Sequence, residues 1–332
     1  MTKSLFDSLA ESKSFENSEH DRDFLYMESL SDNDPARVFL ESLYDRFSKL
    51  DLIEPNFLAE LRRQFHSRFW EMYLACALAD HGHKLETLTN RKDRRKGEEG
   101  IDLKVLTASG TVWIEAVAPK SGEVGNPDSA HVPESPTVHD LAELPNGEEI
   151  SSCCVRSDSI VFRMTRAIQQ KVKQQNSKIK EGHVSPNDPF IIAINGYDIQ
   201  GTGSAIPPSE IESTLFGIGN QSGSYNKHTK SIENQKYRAQ PKRYKTKIDS
   251  TSGRKLNGSP VDSNLFATET HGQISAVIYS RANVWNCPEL LGSDFVLLRN
   301  TFAKNPIEKD FLKCGSVVTY IDGVREQDYY LK

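Results

Sequence analysis

Two acidic side chains and one lysine fall within a single stretch, IDLKVLTASGTVWIEAVAP at residues 101–119, whose composition predicts a β-hairpin. Two runs rich in strand-forming residues flank Ser109-Gly110, a dipeptide typical of turns. A two-residue turn at that point places Lys104 opposite Glu115. Because side chains two residues apart share a face of a strand, Asp102, Lys104 and Glu115 are expected on one face. The hairpin therefore brings two carboxylates and an amine within cross-strand reach.

This group of side chains suits a hard divalent cation. Mg²⁺ takes oxygen ligands and often binds through one or two carboxylates together with a substrate phosphate, and Mn²⁺ is an alternative. Such a cation acidifies a bound water and polarises a phosphoryl oxygen. A nearby lysine, here Lys104, can hold the attacking water or stabilise the charge that develops in the transition state. The predicted chemistry is phosphodiester hydrolysis.

At these residues the sequence resembles the PD-(D/E)XK nuclease superfamily. The family pattern is an acid on one strand, an (Asp/Glu)-x-Lys on the next, and a Glu on a preceding helix. Asp102 matches the first acid, Glu115 in Trp-Ile-Glu-Ala-Val matches the second, and Glu71 in Arg-Phe-Trp-Glu matches the helical Glu. The resemblance covers roughly residues 60–200. It implies a mixed sheet flanked by helices and a Mg²⁺ site formed by Glu71, Asp102 and Glu115.

A basic helix follows the hairpin and extends the resemblance. Residues 159–176, SIVFRMTRAIQQKVKQQN, have helical spacing and match the family's fourth element, which faces the site and the phosphates. The resemblance thereby implies that Arg163 and Lys171 contact nucleic acid. It does not indicate a particular substrate, because the superfamily includes restriction, repair, recombination and defence nucleases.

The sequence departs from the family pattern at two positions. Val117 stands where the family has its lysine, and Ile101 stands where a proline usually precedes the first acid. Some members supply the missing lysine from a neighbouring strand or helix. The predicted register makes Lys104 the first candidate, with Lys120 and Lys171 as weaker ones.

The remaining pattern predicts the elements that position these residues. The expected fold class is α/β, with an N-terminal helical segment before the restriction-endonuclease-like mixed central sheet, flanked by helices, that the resemblance implies. Three segments are expected: an N-terminal arm and helix at 1–54, a nuclease-like core at 55–200, and an α/β extension at 201–332 that is separate or completes the core domain. Helices are predicted at 36–50 and 55–80, and strands at 190–195, 273–281, 294–299 and 316–321.

Basic residues are concentrated in the window 227–255. It contains ten Lys or Arg against two acids, a net charge of +8, which leaves −13 on the rest of a chain whose total is −5. Cations that alternate with tyrosines could neutralise phosphates while the rings stack on bases. A solvated flexible loop is the alternative interpretation. The predicted nucleic-acid contacts in the window are Lys236, Arg238, Lys242, Arg243 and Lys245.

The composition limits the class of protein. Hydrophobic residues make up 37% and charged residues 26% of the 332 residues, a balance typical of a globular protein with a sizeable core. The sequence contains no apolar run of membrane-spanning length and no signal-peptide pattern at its start. Five cysteines form no CxxC pair, which favours a reducing, cytoplasmic location.

Each candidate residue also has an ordinary structural interpretation. Glu71 could pair with Arg68 on its own helix. Lys104 and Glu115 could be a cross-strand ion pair on the wet face of an edge strand. His81 and His83 could be a metal pair, but histidines at a helix end often bond the last carbonyls.

Three functions remain open at this point. The first is a Mg²⁺-dependent nuclease of restriction or defence type that hydrolyses DNA, with a homodimer as one option and no membrane partner. The second is a catalytically inactive nucleic-acid-binding module with the nuclease fold, which the valine at position 117 motivates. The third is an interaction protein whose acidic site is structural.

Overall fold

The computed structural model describes residues 5–11, 20–86, 102–122, 142–143, 149–150, 157–199, 209–226, 231–239, 242–248, 255–262, 264–321 and 324–330. In the strands between residues 219 and 260 the description is limited to the backbone. The chain forms two compact units. Unit one comprises residues 1–118, 175–197 and 273–332, and unit two comprises residues 119–174 and 198–272.

Five helices precede the sheet of unit one in the described chain. The first two lie in the N-terminal arm, and several of their apolar side chains, including Leu5 and Phe24, are buried. Pro35 occupies the first turn of the third helix, and the Asp34 carboxylate accepts from the Ala36 amide at 2.9 Å, which caps that helix. The helices are α1 (Leu5–Glu11), α2 (Arg22–Ser29), α3 (Pro35–Lys49), α4 (Phe57–Arg63) and α5 (Phe65–Asp80).

The prediction of a single helix at 55–80 is therefore wrong in part. The backbone of Gln64 leaves the helical region, with φ −136° and ψ 53°, and divides the segment into α4 and α5. The end of the segment agrees with the prediction, since Gly82 follows α5 with a φ of +82°.

A mixed eight-stranded sheet forms the centre of unit one. Its strand order is β1-β2-β3-β6-β11-β12-β13-β14, with parallel pairs β3–β6, β6–β11 and β12–β13 and antiparallel pairs elsewhere. The expectation of an α/β protein with a mixed sheet flanked by helices is confirmed, and the C-terminal strands complete the same sheet as the hairpin. These strands are β1 (Lys84–Leu85), β2 (Leu103–Thr107), β3 (Gly110–Val117), β6 (Phe190–Asn195), β11 (Ala276–Ser280), β12 (Val296–Arg299), β13 (Ser316–Ile321) and β14 (Val324–Tyr329).

The two faces of the hairpin meet different surroundings. Ile114 and Ala116 of β3 belong to the same buried apolar cluster as the side chains of α5. Trp70 of α5 is fully buried, and its indole nitrogen donates to the Ala193 carbonyl of β6 at 3.0 Å. Because side chains alternate along a strand, Glu115 projects from the opposite face. Helix α5 therefore covers one face of β3, and Glu115 lies on the other.

The hairpin turn is one residue earlier than predicted. Thr107 pairs with Gly110, so the loop is Ala108-Ser109 and not Ser109-Gly110. The Thr107 hydroxyl donates to the Gly110 carbonyl at 2.9 Å and closes the turn, while Gly110 begins β3 with a φ of +139° that favours glycine. Moving a two-residue loop by one position changes the residue opposite each strand position by two. Each side chain therefore lies on the predicted face of the hairpin, but the residue directly opposite it differs from the prediction.

Unit two contains the first part of α6 (Ser157–Lys180), the short pair β4 (Ala142–Glu143) and β5 (Glu149–Ile150), and α7 (Glu210–Phe216). The α6 prediction is confirmed, with a longer extent. Ser209 and Glu212 cap α7 reciprocally. The described residues of the basic window, 231–239, 242–248 and 255, belong to strands of two antiparallel hairpins. Their strands are β7 (Ile218–Asn226) with β8 (Ser231–Ala239), and β9 (Lys242–Ile248) with β10 (Lys255–Asp262).

Two sequence-based expectations can be compared directly with the described residues. None of the described helices is long and apolar enough to cross a membrane. Cys76, Cys287 and Cys314 form no disulfide, and the remaining cysteines, at positions 153 and 154, lie outside the described residues.

Candidate acidic site

Asp102 and Glu115 lie beside each other on neighbouring strands. Leu103 pairs with Ile114 in the β2–β3 ladder, so the next positions outward are Asp102 and Glu115. One Asp102 carboxylate oxygen, Oδ2, accepts from the backbone amide of Ala116 at 2.7 Å. This bond connects the residue before β2 to the C-terminal end of β3. The two acids predicted to be neighbours are thus adjacent in the structure.

Glu115 is buried and paired with a lysine that sequence reasoning did not single out. Its exposed fraction is 1%, and the Lys178 amine donates to Glu115 Oε1 at 2.5 Å. Lys178 is also buried, with 9% of the residue exposed, and it lies in the last turn of α6. Burying a carboxylate is costly unless it is paired and hydrogen-bonded, so this contact offsets part of the cost of burying Glu115.

A signal for Lys178 was present in the helical pattern. Val172, Gln175 and Lys178 are all buried, and their spacing follows one stripe of α6. A lysine that continues an apolar stripe requires a carboxylate partner on the element that it covers. The sequence does not reveal which carboxylate that is, since 63 positions separate Glu115 from Lys178.

The predicted position of Lys104 is wrong. The earlier turn places Lys104 opposite Trp113 and not opposite Glu115. Its amine lies 5.1 Å from the centre of the Trp113 indole and donates to Glu86 at 2.7 Å. Lys104 still shares a face with Glu115, but its described partners are an aromatic ring and the carboxylate that follows β1.

Glu71 does not join the two hairpin acids. It lies on α5, on the face of β3 opposite Glu115, and accepts from Arg68 at 2.5 Å. Arg68 also donates to Glu60, so the helical Glu belongs to a local ion-pair cluster. Within the described parts of the chain, no group of three or more His, Cys, Asp or Glu side chains could hold a metal ion. The three-acid centre implied by the resemblance is therefore not assembled here.

The pair Asp102 and Glu115 nevertheless fits a hard divalent cation by donor chemistry. Two adjacent carboxylates supply the oxygen ligands that Mg²⁺ prefers, and such sites commonly leave other positions to water and substrate phosphate. A cation there would be held by Asp102 and Glu115, beside the ammonium group of Lys178.

The remaining predicted contacts lie in unit two. Arg163 and Lys171 are on α6, and Lys120 follows the end of β3. Lys236 and Arg238 are on β8, where only the backbone is described. The same limit applies to Lys242, Arg243 and Lys245 on β9. Their roles as nucleic-acid contacts stay predictions.

A second polar cluster, missed by sequence reasoning, lies where β11 ends. The Tyr73 hydroxyl of α5 donates to Asp294 Oδ1 at 2.6 Å, and the Ser280 hydroxyl donates to the other carboxylate oxygen. Burial raises the pKa of Asp294, although these two hydrogen bonds oppose the shift. Burial also raises the pKa of the Tyr73 hydroxyl. The cluster fastens α5 and the loop before β12 to the sheet.

The two histidines after α5 have structural partners. His81 Nε2 lies 3.0 Å from the Leu291 carbonyl, as expected for a histidine at a helix end. The His83 ring packs at a tilt against Phe311, with 4.8 Å between ring centres, and burial lowers the pKa of its imidazole. His83 lines a groove of about 670 Å³ at the turn end of the hairpin, away from Asp102. The groove carries side chains of both charges.

Comparisons of the chain with protein-family models, curated proteins and solved structures found no match.

Proposed function

We propose that this chain is a metal-dependent nuclease of the PD-(D/E)XK type that hydrolyses DNA in a restriction or defence setting. The observation that carries the proposal is the adjacency of Asp102 and Glu115, with Lys178 donating to Glu115. A restriction-endonuclease-like arrangement of the sheet is part of the proposal. It is supported by the order helix, antiparallel hairpin, basic helix and parallel strand along the chain.

In this proposal each residue has a distinct role. Asp102 and Glu115 bind the cation through carboxylate oxygens. When bound, Mg²⁺ supplies an acidified water and neutralises charge on the scissile phosphate. Lys178 takes the position left open by Val117 and holds the attacking water or the developing phosphorane charge. The Ala116 amide orients Asp102, whose carboxylate is fixed by that bond before substrate binds.

A different observation favours the inactive binding module as the second candidate. Glu115 and Lys178 are both buried and neutralise each other, so the pair satisfies its own charges without a cation. A protein of this kind would bind nucleic acid equally well with or without Mg²⁺. Its affinity would fall steeply with salt, because phosphate contacts displace counterions.

Cleavage by the full chain distinguishes the two candidates. Purified protein is incubated with supercoiled plasmid or single-stranded DNA in Mg²⁺, Mn²⁺ or EDTA. The wild type is expected to nick or cut only with a metal, and Asp102→Asn and Glu115→Gln are expected to lose at least about a hundredfold in rate, because each removes a charged ligand.

Asp45→Asn is a matched control, since Asp45 is an exposed carboxylate on α3 that pairs with Lys49. It should cut as fast as the wild type. Retained cutting in Glu115→Gln would refute the proposed active site. Metal-independent DNA binding without cutting would favour the inactive module.

A further inference from the structure

Gln175 is a buried side chain with an unsatisfied acceptor. Only 2% of the residue is exposed, and its side-chain oxygen Oε1 has no hydrogen-bond partner among the described atoms. Buried polar atoms are nearly always paired, and an unpaired one destabilises the fold. The location of Gln175 on α6 indicates what could pair with it.

Gln175 faces the same surface as Lys178. The two residues are three positions apart on α6 and both are buried, so their side chains are neighbours on one helix face. The contact between Lys178 and Glu115 places that face against β3. The amide of Gln175 therefore lies one helical turn from the group that holds Glu115.

The charges of the site favour a neutral additional ligand. Asp102, Glu115 and Lys178 together carry a net charge of −1 when ionised. A third carboxylate would attract a divalent cation more strongly but would add repulsion between acids when no cation is bound, whereas an amide oxygen provides another hard donor without charge. Amide carbonyls of Asn and Gln are accepted ligands of hard divalent cations.

We infer that the Gln175 amide oxygen is a third protein ligand, with Asp102 and Glu115, of a divalent-cation site on this face of the sheet. The inference rests on the proposed function, because it adds a ligand to the cation site that function requires. The Gln175 oxygen has no hydrogen-bond partner among the described atoms, and a bound cation would supply one.

Calorimetric titration of the 332-residue chain with Mn²⁺ tests the inference directly. Gln175→Leu removes the oxygen and keeps a similar volume. It is expected to weaken Mn²⁺ binding by about tenfold or more and to leave the melting temperature in EDTA unchanged or higher. Gln175→Glu keeps an oxygen and adds a charge, so it should bind Mn²⁺ more tightly than the wild type. Gln169→Leu, at an exposed position of the same helix, should bind like the wild type.

The outcomes separate this inference from the proposed function. Wild-type affinity in Gln175→Leu, together with lost affinity in Asp102→Asn, would overturn the role of Gln175 and leave the nuclease proposal intact. If Gln175→Leu fails to fold, Gln175→Glu decides, and unchanged or weaker Mn²⁺ binding in that variant overturns the inference. Absence of Mn²⁺ binding by the wild type would overturn both.

Discussion

At the scale of single residues, the pairing of Glu115 with Lys178 is the most consequential contact of the site. Both side chains are buried, so removing either one would leave the other charge poorly solvated. A buried ion pair contributes little net stability compared with apolar residues, but breaking it is costly. The same contact is used by both functional hypotheses, for catalysis in one and for structure in the other.

Replacement of Lys178 should therefore destabilise the fold. Lys178→Met leaves the Glu115 carboxylate buried without this ammonium, and the expected loss is about 3 kcal/mol of unfolding free energy. Urea denaturation of the full chain measures it. Lys49→Met is the control, because the exposed pair of Lys49 with Asp45 on α3 contributes about 0.5 kcal/mol or less.

The double variant Lys178→Met with Glu115→Gln should recover most of that loss, since it removes both charges. Equal unfolding free energies of Lys178→Met and Lys49→Met would mean that burial of the Glu115 carboxylate does not require Lys178.

Asp294 gives a second prediction at this scale, in the dependence of stability on pH. Burial raises its pKa above the ordinary value of 3.8. Between that value and the raised pKa, the native state holds a proton that the unfolded state has released. The stability contributed by Asp294 is thus present at low pH and is lost as the pH rises through the raised pKa.

Asp294→Asn lacks this titration while keeping an oxygen for the Tyr73 hydroxyl. The difference in unfolding free energy between wild type and variant should therefore fall as the pH rises above about 4. Denaturation curves at several pH values measure this difference. A difference that is constant, or that grows with pH, would contradict the raised pKa.

At the scale of the elements, the sequence predicted where strands lie along the chain better than it predicted which residues contact each other. The run FIIAIN reads as a buried strand, and β6 is buried at every position. The hairpin faces were predictable because alternation survives a shift of the turn by one residue. The partner of Lys104 was not predictable, because Ala108-Ser109 and Ser109-Gly110 are both acceptable turns. Only the register of the β2–β3 pairing distinguishes them.

Long-range contacts explain the rest of what was missed. The separation of Glu71 from Glu115 follows from the packing of α5, which buries Trp70 against β6 on the other face of the sheet. Local periodicity indicates that α5 has apolar faces, but it does not indicate which face of the sheet the helix covers. The role of Lys178 has the same origin, since its partner lies on a strand far away in the sequence.

Gly315 offers a prediction at this scale, because it sits where β13 joins the sheet. Its φ is +69°, and a Cβ there would lie 2.1 Å from the Phe295 carbonyl oxygen. That oxygen accepts from the Ser316 amide at 2.8 Å, so it cannot move without loosening the strand. Gly315→Ala should cost about 3 kcal/mol or more, by strain combined with a backbone clash.

Gly182 after α6 is the matched control. Its φ is +79°, and nothing lies within 4 Å of an added Cβ, so Gly182→Ala should cost only about 1 kcal/mol of conformational strain. Urea denaturation measures the loss of unfolding free energy in both variants. Equal losses at the two positions would show that the clash at Gly315 is relieved by movement of the chain.

At the scale of the whole molecule, charge is strongly divided along the sequence. The window 227–255 carries +8, while the rest of the chain carries −13. An acidic protein that keeps its cations together can bind a polyanion through that segment alone. The described backbone of the window lies in strands β8 and β9 and at the start of β10.

Salt dependence of DNA binding tests this arrangement. Binding of duplex DNA to the full chain in EDTA, which prevents metal-dependent cleavage, is followed by fluorescence anisotropy at several salt concentrations. Each phosphate contact contributes about 0.9 to the slope of log affinity against log salt. The triple variant Lys242→Gln, Arg243→Gln, Lys245→Gln should therefore reduce the slope by about 2 to 3.

A second triple variant, with Lys84, Lys304 and Lys313 replaced by Gln, changes the net charge equally at exposed positions of unit one. If binding depends on the window and not on overall charge, its slope should equal that of the wild type. Equal reductions in both variants would indicate a diffuse electrostatic attraction, because a delocalised field responds to net charge wherever the charge is removed. Loss confined to the first variant would locate the phosphate contacts on β9 and separate nucleic-acid binding from cation binding at Asp102 and Glu115.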